Sequence, residues 1–176
     1  MAHLYKNTTN YQGFLKRYYF EGLIKAIIRL GELENINKKI LDFGCGVGKL
    51  KYLLKNKNPN VINYDVVQEL SDVKNWDEKY FDILVANEVF YTFDQVSLEK
   101  LLLELKNFNR DMTLIVGISK QSLLNKIGAL LLNDSKAHYG TKLKPLEEIN
   151  TLKKYTNVIL KKNYLFLVDI YLLKFN

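Results

Sequence analysis

Apolar side chains recur at positions 14, 18, 23, 24, 27 and 28 of the stretch Tyr11–Leu30, the period of a helix that shows one face to a core. Gly31 is placed to stop it. Short apolar runs then alternate with helical periods. The run from about Lys39 to Phe43 predicts a strand central to a sheet. A helical period at Leu50, Leu53 and Leu54 follows it to about Lys57, where Asn58-Pro59-Asn60 ends the helix. Val61–Val66 predicts a second strand. Val67–Tyr80 is short and polar, with Trp76 and Tyr80 its only large apolar groups, and leaves little room for a full helix plus a full strand. Phe81–Ala86 predicts a buried strand, ending at Asn87-Glu88-Val89-Phe90-Tyr91. Thr92 or Asp94 can cap the next helix, whose apolar face is Leu98, Leu101, Leu102, Leu105 and Phe108.

After a turn at Arg110-Asp111, Met112–Ile118 predicts another buried strand, and Ser122–Leu132 an extra helix that is apolar around most of its circumference. Asp134–Leu143 is expected as a loop carrying His138-Tyr139-Gly140. Pro145 suits a first helical turn, with Glu147 and Glu148 favoured at that positive end. Asn157–Lys162 and Leu165–Phe175 predict strands, and so short a link as Asn163-Tyr164 makes them antiparallel neighbours. Strands alternating with helices imply an open, mostly parallel α/β sheet with right-handed crossovers and a terminal antiparallel hairpin. Ligands in such sheets bind at the carboxyl ends of the strands, and Asp42, the glycines after it, Asp65, Asn87 and Ser119 all fall there.

Composition narrows the class. With 176 residues, 48% hydrophobic and 26% charged, the chain is expected to form one globular domain. We divide it into a helical cap, residues 1–37, and a core, residues 38–176. The single cysteine, Cys45, excludes an intrachain disulfide and a multi-cysteine zinc site and fits a reducing compartment; no metal is expected. The first ten residues lack an apolar stretch suited to secretion, and Tyr164–Phe175 is short for a membrane span and carries Asp169, so a cytoplasmic location is expected. The net charge of +7 and pI near 9.3 invite a nucleic-acid partner. That charge is almost all lysine, with Arg17, Arg29 and Arg110 the only arginines, whereas phosphate and base recognition recruits arginine forks. Nucleic-acid binding therefore rests on charge alone.

The richest chemistry lies in Lys39–Leu54, an apolar strand, Asp42, glycines at 44, 46 and 48, and a helix. Alternate glycines allow a backbone to approach a ligand, and the helix start offers free N–H groups. The dinucleotide spacing G-x-G-x-x-G would need glycine where Lys49 stands. Asp42 is an awkward neighbour for a pyrophosphate and suits a cationic group, while Asp65 can accept hydrogen bonds from ribose hydroxyls. A nucleoside with positive charge and no phosphates meets both conditions; a nicotinamide cofactor is the rival.

Ile-Leu-Asp-Phe-Gly-Cys-Gly-Val-Gly resembles motif I, D-x-G-x-G-x-G, of the class I S-adenosylmethionine-dependent methyltransferases, with Asp65 and Phe81–Val89 similar to their ribose acid and strand-four segment. In its small single-domain form the chain looks like the type 11 and type 12 methyltransferase domains. The resemblance spans essentially the whole chain. It implies a Rossmann-like sheet of seven strands with helices on both faces, a three-layer sandwich, and S-adenosylmethionine as cofactor with S-adenosylhomocysteine as product. Gly44, Cys45, Gly46 and Gly48 would cradle the methionine part, with Asp42 near its amino group. Asp65 would bind the ribose, Val66 would pack on the adenine, and Asn87 would line the methyl end. Asp72, Val73 and Trp76 are candidates for the adenine edge, Trp76 serving equally well as a core filler. Cys45 is most simply a small packing residue.

Methyl transfer rests largely on proximity and alignment, and a base is needed only where the acceptor arrives protonated. Asn87-Glu88-Val89-Phe90 lacks the prolines of the motif that marks amino groups of bases or glutamine, and no Pro-Cys pair serves cytosine C5. His138 is the leading base candidate, with Tyr91, Glu88 and, more weakly, Tyr139 around the acceptor, while His3 lies near the chain start. The implied acceptor is a small molecule or the end of a glycan or lipid-linked precursor. The alternatives are an S-adenosylmethionine-binding regulator without transfer and an RNA methyltransferase.

Overall fold

A computed structural model of the chain describes residues 14–120 and 141–176, with side chains described from Arg17 onward. The extra helix expected at Ser122–Leu132, the His138-Tyr139-Gly140 loop and His3 lie outside the described residues.

Helix α1 (Phe14–Leu30) presents Leu23 and Ile27, both fully buried, to the sheet. Burying one such side chain is worth about 1.5–3 kcal/mol. Gly31 does stop the helix, though not by adopting a left-handed turn. Glu32 does so instead, at φ 49°, and Leu33 N–H reaches back to Ile28 O at 3.0 Å in a Schellman-type close. Gly31 also leaves space, because a Cβ there would collide with Ile115 Cδ1 and oblige that side chain to shift.

Strand β1 (Ile40–Phe43) is buried along its length and pairs in parallel with β2 (Val61–Tyr64) and β3 (Ile83–Asn87). Between β1 and β2 lies helix α2 (Lys49–Leu54). Strand β4 (Thr113–Ser119) extends the parallel set after helix α3 (Gln95–Phe108), which Asp94 caps by accepting Ser97 N–H at 2.8 Å. Helix α4 (Pro145–Tyr155) leads directly into β5 (Thr156–Tyr164), and β6 (Val168–Phe175) returns between β4 and β5, antiparallel to both. The order is β2-β1-β3-β4-β6-β5.

Six strands stand among the described residues where seven were expected. The segment after β2 forms a single 3-10 turn, Gln68–Leu70, and no strand. It still covers the edge of β2: Asp72 N–H donates to Asn63 O (2.9 Å), and Asn63 N–H donates to the Asp72 carboxylate (2.7 Å). Strand β2 stops at Tyr64 and not at Val66, because the Asp65 side chain turns back to accept Val67 N–H at 3.0 Å. The hairpin turn is also displaced from Asn163-Tyr164, which lies in β5. Leu165 and Phe166 make the turn at φ 48° and 60°, and Asn163 Oδ1 accepts Phe166 N–H at 2.8 Å.

Alternate residues of each central strand feed two apolar clusters. Leu84, Ala86, Leu114 and Val116 meet α3 and α4 through Leu98, Leu102, Ile149 and Leu152. Ile83, Val85 and Ile115 meet α1 and α2 through Leu23, Ile27, Leu50 and Leu54. Asn58, fully buried beyond α2, ties the link between α1 and β1 to this layer. Its amide donates to Leu33 O, Asn35 O and Lys38 O at 2.8–3.1 Å, and its oxygen accepts Asn60 N–H. Asn58→Ala orphans those carbonyls and is expected to lower stability by about 2–3 kcal/mol, measured by denaturant unfolding.

Candidate functional site

Parallel pairing brings the ends of β1, β3 and β4 to one edge, with Asp65 just beyond β2. The turn after β1 is hooked onto β2. Gly44 N–H and Cys45 N–H both donate to Tyr64 O, at 2.8 and 3.1 Å, and Gly46 N–H donates to Asp65 Oδ2 at 2.9 Å. Gly44, Gly46 and Gly48 have φ of 72°, 52° and 70°, a region that side chains other than glycine's disfavour. Space matters as well. A Cβ on Gly44 would lie 2.5 Å from Val89 Cγ2, and one on Gly48 2.7 Å from Asn63 Nδ2. Gly48 is the N-cap of α2 and provides no side-chain cap, so the helix start keeps N–H groups for a ligand.

Asp42 is 7% exposed, and its carboxyl is pushed up to about 7, first by burial and then by the charge of Asp65. A cationic group placed there would restore its ionisation. Cys45 is buried, its thiol directed to Leu70 O (3.4 Å) and Gly46 O (3.6 Å), and burial together with Asp42, Asp65 and Asp72 holds it strongly protonated. It packs within the turn, as a small residue should. Val66 is 75% exposed beside Asp65, an apolar surface left open. Among the adenine-edge candidates, Asp72 is engaged by Lys51 (2.7 Å) and by the edge of β2, while Val73 is buried. Trp76 is not brought to this edge. Its ring packs on Phe81 and Phe108 with the core, before the start of β3 and therefore at the opposite end from Asn87.

A second group lies beyond β3 and β4. Asn87 Oδ1 is buried with no hydrogen-bond partner among the described residues, and a Cβ on Gly117 would collide with it. Glu88 has φ 55°, donates its N–H to Gly117 O at 2.9 Å, and accepts the Ser119 hydroxyl on its carboxylate at 2.5 Å. Tyr19 of α1 is raised in pKa by burial, then by the charge of Glu88 and by Tyr164. Tyr91 contributes main chain, its carbonyl accepting Lys142 N–H and Leu143 N–H at 2.8 and 3.1 Å. His138 and Tyr139 fall outside the described residues.

Glu148 is the group missed from the sequence. Of the two glutamates at the start of α4, only Glu147 serves the helix end, accepting Lys144 N–H at 2.8 Å. Glu148 is 2% exposed, its Oε1 has no hydrogen-bond partner among the described residues, and its carboxyl is raised to about 8 by burial and by Glu88. The available signal was its place one residue before Ile149 and four before Leu152, on the face that meets the core. Among the described residues no cluster of His, Cys, Asp and Glu is suited to a metal ion.

Glu148 binds its proton more tightly in the folded protein than in the unfolded chain, where its ordinary value is 4.5. Its favourable contribution is complete below that value and is lost as pH rises towards 8. Glu148→Gln is therefore expected to flatten the decline in stability across that window and to be more stable than the parent at its upper end. The difference is roughly 3–5 kcal/mol, measured by urea unfolding across pH.

The family model described as a methyltransferase domain matches residues 15–147. No curated protein sequence matches the chain. Solved structures do. The PH0226 protein from Pyrococcus horikoshii OT3 superposes with a TM-score of 0.64 at 14% identity, covering 96% of this chain and 93% of that one. Magnesium protoporphyrin IX methyltransferase from Synechocystis PCC 6803, with bound S-adenosylhomocysteine, gives 0.60 at 16% identity, covering 93% and 88%. Human N-acetylserotonin methyltransferase in complex with S-adenosylmethionine gives 0.57 at 14% identity, covering 94% and 57%.

Proposed function

Because the chain belongs to the methyltransferase-domain family, whose members use S-adenosylmethionine, we propose that it transfers a methyl group directly to a small molecule or to the end of a glycan or lipid-linked precursor. The observation that carries this is the glycine turn itself. Of three left-handed glycines, Gly44 is pinned to β2 and Gly46 to Asp65, beside the buried Asp42 and an uncapped helix start. That arrangement fits a cationic nucleoside. The cofactor, when bound, supplies an electrophilic methyl group on a sulfonium.

Gly44, Cys45, Gly46 and Gly48 provide main chain to its methionine part. Asp42 receives the amino group, and the positive charge draws its carboxyl into the ionised form. Asp65 has one lone pair on each oxygen engaged by Gly46 N–H or Val67 N–H and the others open to ribose hydroxyls. Val66 lies under the adenine, and Asn87 borders the methyl end. Trp76 acts only through the packing of Phe81. Residues 1–176 form one cofactor-binding domain, with 1–37 as the cap and the helices of both faces as the outer layers of a three-layer sandwich. The acceptor enters beside Glu88 and Tyr91, with His138 available as a base where the acceptor is protonated. Among the described residues no helix is long and apolar enough to cross a membrane, and we place the protein in the cytoplasm.

RNA is a second acceptor class with an observation in its favour. Arg17, Lys25 and Arg29, two of the chain's three arginines among them, line a groove of about 460 Å³ with Tyr18, Gly22 and Tyr164. Glu21 sits in the same groove and pairs with Lys25 (2.9 Å) and Lys49 (3.2 Å), which lowers its positive potential. RNA binding that weakens steeply with salt would favour this class, and its absence removes it. Binding of S-adenosylmethionine with no turnover on any acceptor pool would instead favour a regulatory protein.

The cofactor assignment is tested by calorimetry. S-adenosylhomocysteine is expected to bind and NAD not to. Asp65→Ala is expected to weaken the former by about 1–3 kcal/mol, since it removes a charged hydrogen-bond acceptor and releases Gly46 N–H. Tight NAD binding, or an unchanged dissociation constant in the variant, contradicts the assignment.

A further inference from the structure

We propose that the tip of the β5–β6 hairpin and the basic groove beside it form a docking surface for an anionic lipid bilayer. This surface is independent of the methyltransferase reading and goes beyond it.

The tip combines two unfavourable features. Leu165 and Phe166 both adopt left-handed backbone, at φ 48° and 60°, where glycine or asparagine is the ordinary occupant. They are also 58% and 74% exposed, so neither gains the core contacts that would offset such a backbone. Packing among the described residues therefore gives no reason for two large apolar side chains here. The turn itself is well held. Asn163 Oδ1 accepts Phe166 N–H at 2.8 Å, and Leu167 N–H donates to Tyr164 O at 3.0 Å. A bilayer supplies the missing burial.

Charge and aromatic side chains border the tip on the side of α1. Tyr164 joins the two parts, since it precedes Leu165 and lines the groove with Arg17, Tyr18, Lys25 and Arg29. Its hydroxyl donates to Tyr19 O at 3.1 Å, and a Cβ on Gly22 would collide with that hydroxyl. Tip and groove are thereby fastened together. Three cations share the groove's one carboxylate: Glu21 meets Lys25 at 2.9 Å, Lys49 at 3.2 Å and Arg17 at 4.0 Å. Arg29 adds a further positive charge. Lys162, exposed on β5, lies two residues before Tyr164 and so on the same face of the sheet. Tyr18 is 72% exposed, with an amphipathic ring suited to the headgroup layer.

Register places this surface beside the candidate site. Ser119, the last residue of β4, pairs with Val168, the first of β6, and Lys120 N–H donates to Leu167 O at 2.8 Å. The hairpin tip therefore stands at the sheet edge where β1, β3 and β4 end. A bilayer suits the whole surface better than RNA does. Bases can stack on Phe166, but Leu165 needs an apolar medium, whereas anionic headgroups and acyl chains meet every part.

Co-sedimentation with vesicles tests this on the full chain, without cofactor. Vesicles of phosphatidylcholine alone are compared with vesicles holding about a quarter phosphatidylglycerol, and a single-stranded oligouridylate is the nucleic-acid control. Binding to the anionic vesicles is expected to be at least roughly tenfold tighter than to the neutral ones. Phe166→Asn is expected to weaken it at least about fivefold, with no loss of stability in thermal unfolding, since asparagine accepts left-handed backbone. Arg29→Gln is expected to weaken it about fivefold and to reduce its salt dependence. Equal binding to both vesicles, binding to neither, or an unchanged affinity in either variant overturns the proposal. RNA binding without vesicle binding overturns it as well and assigns the groove to nucleic acid. Because no cofactor takes part, each of these outcomes leaves the methyltransferase reading where it stands.

Discussion

The rest of the site depends on how the turn after β1 is fastened to the end of β2. One carbonyl, Tyr64 O, accepts two successive N–H groups from Gly44 and Cys45, and one carboxylate oxygen of Asp65 accepts a third from Gly46. Such contacts require left-handed backbone at alternate residues, which glycine alone adopts without strain. They also require that nothing project from Gly44 towards Val89 or from Gly48 towards Asn63. The protein's own packing therefore already requires the glycines.

Burial sets the electrostatics on either side of that turn. Asp42 and Glu148 belong to different elements and are both withdrawn from water, and in each the loss of solvation is the leading cause of the raised pKa, with a neighbouring carboxylate second. Carboxyl groups held near their point of ionisation respond strongly to an arriving charge. In the proposed function Asp42 is the one that responds, to the positive charge of the cofactor.

The abbreviated connection from β2 to β3 has a clear cost and a local remedy. Without a third parallel strand the outer edge of β2 would be bare. The Asp72 carboxylate takes the place of a strand carbonyl for Asn63 N–H, and Ser71 Oγ donates to Val73 O at 2.7 Å to hold the segment in shape. A side chain does here what a ladder of main-chain bonds does in a full sheet.

The strands, the glycine turn, the acid after β2 and the antiparallel hairpin were legible in the sequence, because each depends on local properties: apolar runs, φ freedom, and the length of a link. The location of the hairpin turn was not, since Asn163 supports the turn from within β5 and leaves Leu165 and Phe166 to make it. Trp76 and Glu148 show the same limit. Trp76 suited a ligand and the core equally, Glu148 looked like a helix-end charge, and side-chain type could not say which neighbours each would meet. Those neighbours come from distant elements, Phe108 for the one and Glu88 for the other. By itself the sequence determined the backbone of the glycine turn, whose geometry is set within a few residues. Only the tertiary structure decided which polar groups lost their water, because burial is created by the packing of elements far apart in the chain.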